Sequence, residues 1–159
     1  MVKKKVLQLK PFVSSLLPAK VGDVVEYDEI WTFVGSKSNH QWLWIAFCRR
    51  TKQVVAYHFG NRDKKSFLEF YLKVPIEYAN CLSTSDGLHA YKIMKPYGHK
   101  MCKQKDGTNS QVEAFNTVLR QRLSRLIRKT CAFSKTFEMH EIVIRWFIQE
   151  YNEMIFQSN

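Results

Sequence analysis

The chain has 159 residues, of which 45% are hydrophobic and 14% aromatic, which is apolar matter enough for one compact core. Its 25 Lys and Arg against 14 Asp and Glu leave a formal charge of +11, which favours a polyanionic partner, nucleic acid ahead of an anionic membrane surface. No stretch approaches ~18 uninterrupted apolar residues and the start has no long apolar core, so the composition argues against a membrane protein and for a soluble, cytoplasmic one.

The first 22 residues combine Lys3–Lys4–Lys5, Pro11, Pro18 and Gly22 without a sustained period, and read as a linker or lead-in to a domain over residues 23–159. Val24 to Val34 is rich in β-branched and aromatic residues, Gly35 to Asn39 has turn chemistry, Trp42 to Cys48 is apolar, and Gln53 to Phe59 returns as a third strand. Short connections make these an antiparallel meander. Asp63 is a good N-cap for a helix to about Lys73, which Pro75 stops. A strand from Ala79 to Ser85 follows, then a short helix from Leu88 to Lys95 and a weak fifth strand from His99 to Lys103. Periodicity predicts helices from Ser110 to about Lys129 and from Lys135 to about Ile155. The crossover after the meander makes strand four parallel to strand one. The predicted fold is α/β, a five-stranded mixed sheet of order 3-2-1-4-5 flanked by helices, the ribonuclease-H-like arrangement.

The four cysteines, Cys48, Cys81, Cys102 and Cys131, include no C-x-x-C pair and predict neither a zinc site nor a disulfide framework. Three of them sit in apolar stretches and read as small core residues. Between Gly87 and Lys135 eleven Lys and Arg face only Asp106 and Glu113, so this segment carries +9 of the net charge. Its plain reading is a solvated helix face; its functional reading is a phosphate-binding surface.

Three acidic residues stand out against that background. Asp28 lies in the middle of the first strand, where a carboxylate is costly unless a Lys, an Arg or a metal meets it. Asp86 ends strand four, where open α/β sheets gather ligands, although Ser85-Asp86-Gly87 is also an ordinary turn. On the long helix Val112, Phe115, Leu119, Leu123 and Leu126 form the apolar stripe, and Glu113, Asn116, Arg120 and Ser124 the adjacent one. Glu113 at the edge of the buried face can lean over the strand ends. Two cations about 4 Å apart need shared carboxylates of this kind. Glu29 in place of Asp28, and Asp106 in place of Glu113, stay open. Among the aromatic residues Trp31, Trp42 and Trp44 read as core, and Tyr91, Tyr97 and Lys100 as candidates for lining a DNA path. His58 and His99 read as core or edge histidines.

Tyr27-Asp28-Glu29-Ile30-Trp31 with Val34 to Lys37, Trp42-Leu43-Trp44, Thr84 to Gly87, Thr108-Asn109, and above all Glu113-Ala114-Phe115-Asn116 running on to Phe133-Ser134-Lys135, resemble the DDE transposases of the insertion-sequence-one family, in particular their second-frame catalytic portion. The likeness covers roughly Pro18 to Asn152. It implies a DNA transposase domain that cleaves and joins DNA strands, with Asp28, Asp86 and Glu113 as catalytic and metal-binding triad and 26 residues between the last two. It implies two Mg²⁺ ions, with Mn²⁺ able to substitute, and double-stranded DNA as partner, both transposon ends and target. Asn116, Arg120, Arg125, Arg128 and Lys129 are the expected DNA contacts. A homo-oligomer, a bacterial or archaeal cytoplasm close to the nucleoid, and a zinc-finger and helix-turn-helix region supplied by an upstream frame through frameshifting belong to the same expectation. Similar proteins often place Arg after the glutamate where this chain has Ala114, which removes one phosphate contact. The alternatives are a catalytically silent DNA-binding regulator or truncated product without end recognition, and a nuclease of the same fold.

Overall fold

The computed structural model describes residues 10–97, 99–101, 109–127 and 131–159. Strands β1 (Val24–Val34), β2 (Ser36–Cys48) and β3 (Val54–Gly60) form the antiparallel meander, and β4 (Leu82–Ser85) lies parallel to β1, giving a mixed sheet ordered β3-β2-β1-β4. The three-residue strand β5 (His99–Met101) runs parallel along the outer side of β4. Helix α1 (Lys64–Tyr71) and the single helical turn α2 (Ile76–Ala79) make the crossover to β4. Helices α3 (Ser110–Arg122) and α4 (Phe137–Gln157) follow the sheet.

The alternation of side chains along the strands divides the core into two layers. Val25, Tyr27, Trp44 and Ala46 point to one face and pack with Phe67 and Phe70 of α1 and with Tyr91 and Met94 of the 3₁₀ segment His89–Tyr97. Ile30, Leu43, Ile45 and Phe47 point to the other, against Val112, Phe115 and Leu119 of α3 and Ile144 and Ile148 of α4. Trp44 is fully buried, as a core residue should be, whereas Trp42 is half-buried beneath the guanidinium of Arg62, 4.7 Å from its ring centre. Of the described cysteines Cys48 is buried, Cys81 half-buried and Cys131 exposed. No helix among the described residues is long and apolar enough to cross a membrane.

Four elements differ from the sequence reading. Strand β2 begins at Ser36 rather than Trp42, because the long β1 offers a ladder partner to every residue after Gly35, which takes φ 73° and makes the turn almost alone. Pro75 starts the helical turn α2 instead of only ending a helix, so β4 is shortened to Leu82–Ser85. Helix α3 stops at Arg122: Leu123 is extended at φ −113°, ψ 93°, and a 3₁₀ turn, Ser124–Leu126, then brings Leu126 back into the core at 3% exposure. Core packing wins there over the periodicity that continued past Arg122. The lead-in, finally, is packed from Lys10 onward. Phe12 meets Tyr57 edge-on at 5.3 Å, and the buried Gln53 takes Leu17 N at 2.9 Å while donating to Ser15 O at 2.7 Å and Asn152 O at 3.1 Å. A polar tether of this sort leaves no hydrophobic period to read.

Candidate metal centre at the end of the parallel strands

Parallel pairing of β1 with β4 sets Tyr27 beside Ser85, so the next residue on each strand, Asp28 and Asp86, emerges at the same level. Carboxylate oxygens of Asp28, Glu29 and Asp86 all lie within 4.8 Å of one another. Asp86 accepts Leu88 N at 2.9 Å, which turns the chain away from the sheet and holds its carboxylate at the strand end. Asp28 accepts Asn116 Nδ2 at 2.6 Å. Burial above all, then the neighbouring charges of Glu29, Asp86 and Glu113, push the Asp28 carboxyl up to about 7. Among the described residues neither Asp28 nor Asp86 has an ion-pair partner.

Glu29 is in a different position. Its Oε1 takes Arg62 Nε at 2.8 Å and Nη2 at 2.6 Å, and its Oε2 takes the Tyr91 hydroxyl at 2.8 Å. Burial raises its carboxyl, with Asp86 adding to the effect and Tyr91 and Arg62 opposing it. Both oxygens are occupied, so Glu29 already has its counter-charge. Tyr91, read from sequence as lining a DNA path, is fully buried and acts here as a donor to Glu29. Tyr97, Lys100 and Asp106 lie outside the residues whose side chains are described.

The helix that carries Glu113 is docked by Glu26, which sequence reasoning did not single out, and by Asn109, which entered only as part of the family resemblance. Glu26, with 0% exposure, accepts the backbone N–H of Gln111 at 2.9 Å and of Val112 at 2.8 Å, and Arg49 Nε at 2.7 Å. It caps α3 from the neighbouring strand, because the residue at the N-cap position, Asn109, is turned elsewhere: Asn109 Nδ2 donates to Tyr27 O at 2.8 Å and its Oδ1 accepts Thr84 Oγ1 at 3.0 Å. One asparagine thus ties the start of α3 across both β1 and β4. A signal for Glu26 was present, since it shares the strand face of Asp28 two residues on, and a second acid on a buried face needs a partner as much as the first. Glu113 sits exposed in the first turn of α3, outside the 4.8 Å set, near enough that its charge contributes to raising Asp28.

The expected DNA contacts separate. Asn116 is 5% exposed and committed to Asp28, so it does not face a nucleic acid across open surface; its place on the Glu113 stripe turns it inward onto the strand. Arg120 is half-buried on α3. Arg125 lies beyond the helix end, half-buried, and donates to Ser134 Oγ at 3.0 Å, which in turn bonds His140 Nδ1 at 2.9 Å. Arg128 and Lys129 lie outside the described residues. His99, a core or edge histidine by sequence, is 8% exposed and bridges Ser83 Oγ and Ser85 Oγ, each at 2.7 Å.

Residues 23–154 match the protein family described as IS1 transposase. The insertion element iso-IS1n protein InsB of Shigella dysenteriae is 38% identical over 132 residues, which cover 80% of this chain and 95% of that protein. The insertion element IS1 protein InsB of Shigella flexneri is 37% identical over 120 residues, 75% of this chain and 88% of its own length. An Escherichia coli K12 relative, insertion element IS1 4 protein InsB, is 36% identical over 75% of this chain and 70% of itself.

Proposed function

Because the chain belongs to the IS1 transposase family, we propose that it is a transposase catalytic domain that cuts and joins DNA strands, with Asp28, Asp86 and Glu113 as its metal-binding carboxylates. Residues 23–159 form the catalytic unit, with the lead-in packed against it, and the fold is ribonuclease-H-like with β5 as its fifth strand. The observation that carries the reading is the meeting of Asp28 and Asp86 at the ends of adjacent parallel strands, without a counter-ion among the described residues. Two close carboxylates, half-buried and unneutralised, repel each other unless a cation joins them, and hard oxygen donors suit Mg²⁺, or Mn²⁺ in its place.

When bound, a pair of such ions supplies activation of the attacking oxygen and stabilisation of the leaving one. The chain's own residues build the frame for that. Asp28 and Asp86 present carboxylates from rigid strands. Glu113 adds a third from α3, whose position over β1 is held by Glu26 and Asn109. Glu29, neutralised by Arg62 and Tyr91, keeps the fourth nearby acid out of competition for the cation. Arg120, with Arg125, Arg128 and Lys129, supplies positive charge for the backbone of double-stranded DNA, both transposon ends and target. Assembly as a homo-oligomer, and end recognition by a zinc-finger and helix-turn-helix region from an upstream frame, complete the proposal.

The test is a strand-transfer assay with pre-cut transposon ends and a target duplex in Mg²⁺ or Mn²⁺. Joined product that disappears in Asp28→Asn, Asp86→Asn and Glu113→Gln, with DNA binding retained, is the expected result. Binding with no cleavage in any metal identifies a regulator instead, and hydrolysis of hybrid or junction substrates without joining identifies a nuclease.

A further inference from the structure

Asn116 lies one turn after Glu113 on α3, and its Nδ2 donates to Asp28 Oδ2 at 2.6 Å. A charge-assisted bond that short fixes the plane of the carboxamide. Its other polar atom, Oδ1, is buried and has no hydrogen-bond partner among the described residues. A buried amide oxygen left unpaired costs about 1–3 kcal/mol. With Asp28 ionised, turning the amide over gives no relief, because it would set Oδ1 against the carboxylate and strand Nδ2 instead.

The polar groups gathered nearest to it explain what is missing. Asp28, Asp86 and Glu29 offer carboxylate oxygens, and Arg62 and Tyr91 are spent on Glu29. Glu113, one turn back, is an acceptor as well. Among the described residues no donor reaches Oδ1, in a place rich in carboxylate oxygens. A hydrated divalent cation brings both what the carboxylates lack and what the amide lacks, since Mg²⁺ and Mn²⁺ keep several of their waters when carboxylates bind them.

We propose that Asn116 is a positioning residue of the cation site: through Nδ2 it fixes Asp28, and through Oδ1 it accepts a hydrogen bond from water bound to the divalent cation. This rests on the reading that Asp28 and Asp86 bind that cation. Outer ligands of this kind tune metal affinity by about ten-fold or more, and the amide does so without adding a further negative charge to an already acidic cluster.

The experiment is titration of the full chain with Mn²⁺ alone, following free Mn²⁺ by electron paramagnetic resonance, together with thermal unfolding in EDTA and in Mn²⁺. Asn116→Ala is expected to bind Mn²⁺ about ten-fold more weakly than the parent. Asn116→Asp replaces the donor by a carboxylate against Asp28, so it should melt lower than the parent in EDTA and gain more than the parent on addition of Mn²⁺. Should Asn116→Ala fail to fold, the Asn116→Asp comparison stands by itself. Parent-like Mn²⁺ affinity in Asn116→Ala, or a loss of melting temperature in Asn116→Asp that Mn²⁺ leaves untouched, overturns the proposal and leaves Asn116 a purely structural residue. If the parent itself binds no Mn²⁺ and behaves like Asp86→Asn, the metal-site reading beneath it falls first.

Discussion

Removing the carboxylate that docks α3 gives the sharpest check on how the site is built. In Glu26→Ala the backbone N–H groups of Gln111 and Val112 lose the acceptor they reach at 2.9 and 2.8 Å, in a place where Glu26 has 0% exposure. Stranding the buried Val112 donor costs about 1–3 kcal/mol, the part-buried Gln111 donor less, and the capping contribution, about 1 kcal/mol, is part of the same loss rather than an addition to it. The Arg49 pair adds little, because that guanidinium is 38% exposed. A total of about 3 kcal/mol, or roughly 6–12 °C in melting temperature for a chain of this size, is the expectation. Glu26→Gln keeps an acceptor oxygen and should lose less than half as much. Urea unfolding measures both, and Mn²⁺ titration of the folded Glu26→Ala protein should show weakened binding, because Glu113 and Asn116 ride on the helix that has come loose. A loss below about 1 kcal/mol, with Mn²⁺ affinity unchanged, would refute the idea that Glu26 holds α3 over Asp28.

His99 and His140 are held neutral by burial, with pKa values lowered to about 4, and Arg125 contributes at His140. The unfolded chain therefore takes up protons first: their stabilisation is whole above pH 6.5 and is lost as the pH falls toward 4, by roughly 3 kcal/mol per residue. Asp28, raised to about 7, works in the opposite sense, so the quantity to measure is the difference in urea stability between parent and His140→Gln from pH 7 to 4.5; a difference that does not change with pH refutes the assignment. Tyr91→Phe removes the donor to buried Glu29 and should lower stability by about 1–2 kcal/mol, with a neutral outcome in chemical denaturation counting against the account of Glu29 as a pinned acid. In Gly60→Ala the new Cβ meets Ser66 Oγ at 2.8 Å and Ser66 Cβ at 3.0 Å, so a loss of about 1–3 kcal/mol is expected, and an unchanged melting temperature would show that α1 shifts freely against β3.

Much of the frame was legible because its signals are local and repeat. The β1–β2–β3 meander shows in alternating apolar runs broken by turns, Asp63 as an N-cap shows in one residue type, and the crossover rule then places β4 beside β1 with Asp86 at its end. What could not be read depends on partners distant in the chain. Glu26 looks like any strand residue until α3 arrives on top of it, and Asn116 like a surface polar group until Asp28 proves to lie beneath. The end of α3 was missed for the opposite reason: Leu123 and Leu126 continue the helical period, yet Leu126 reaches the core by a 3₁₀ turn. Glu29 and Asp28 were interchangeable on paper, and only the positions of Arg62 and Tyr91 separate them.

That separation has a consequence for how β1 tolerates change. Asp28 and Glu29 leave the strand on opposite sides, one toward Asn116 and the other toward Arg62 and Tyr91. Sliding β1 by a single position would turn each to the other face, bringing either Tyr27 or Glu29 into the place of Asp28. Asn109 grips the Tyr27 carbonyl and the Thr84 hydroxyl at once, so it works as an indexing pin between neighbouring strands. Insertions or deletions within Val24–Tyr27 should accordingly be far more damaging than substitutions there, because they turn both acids to the wrong face rather than merely loosen their fit.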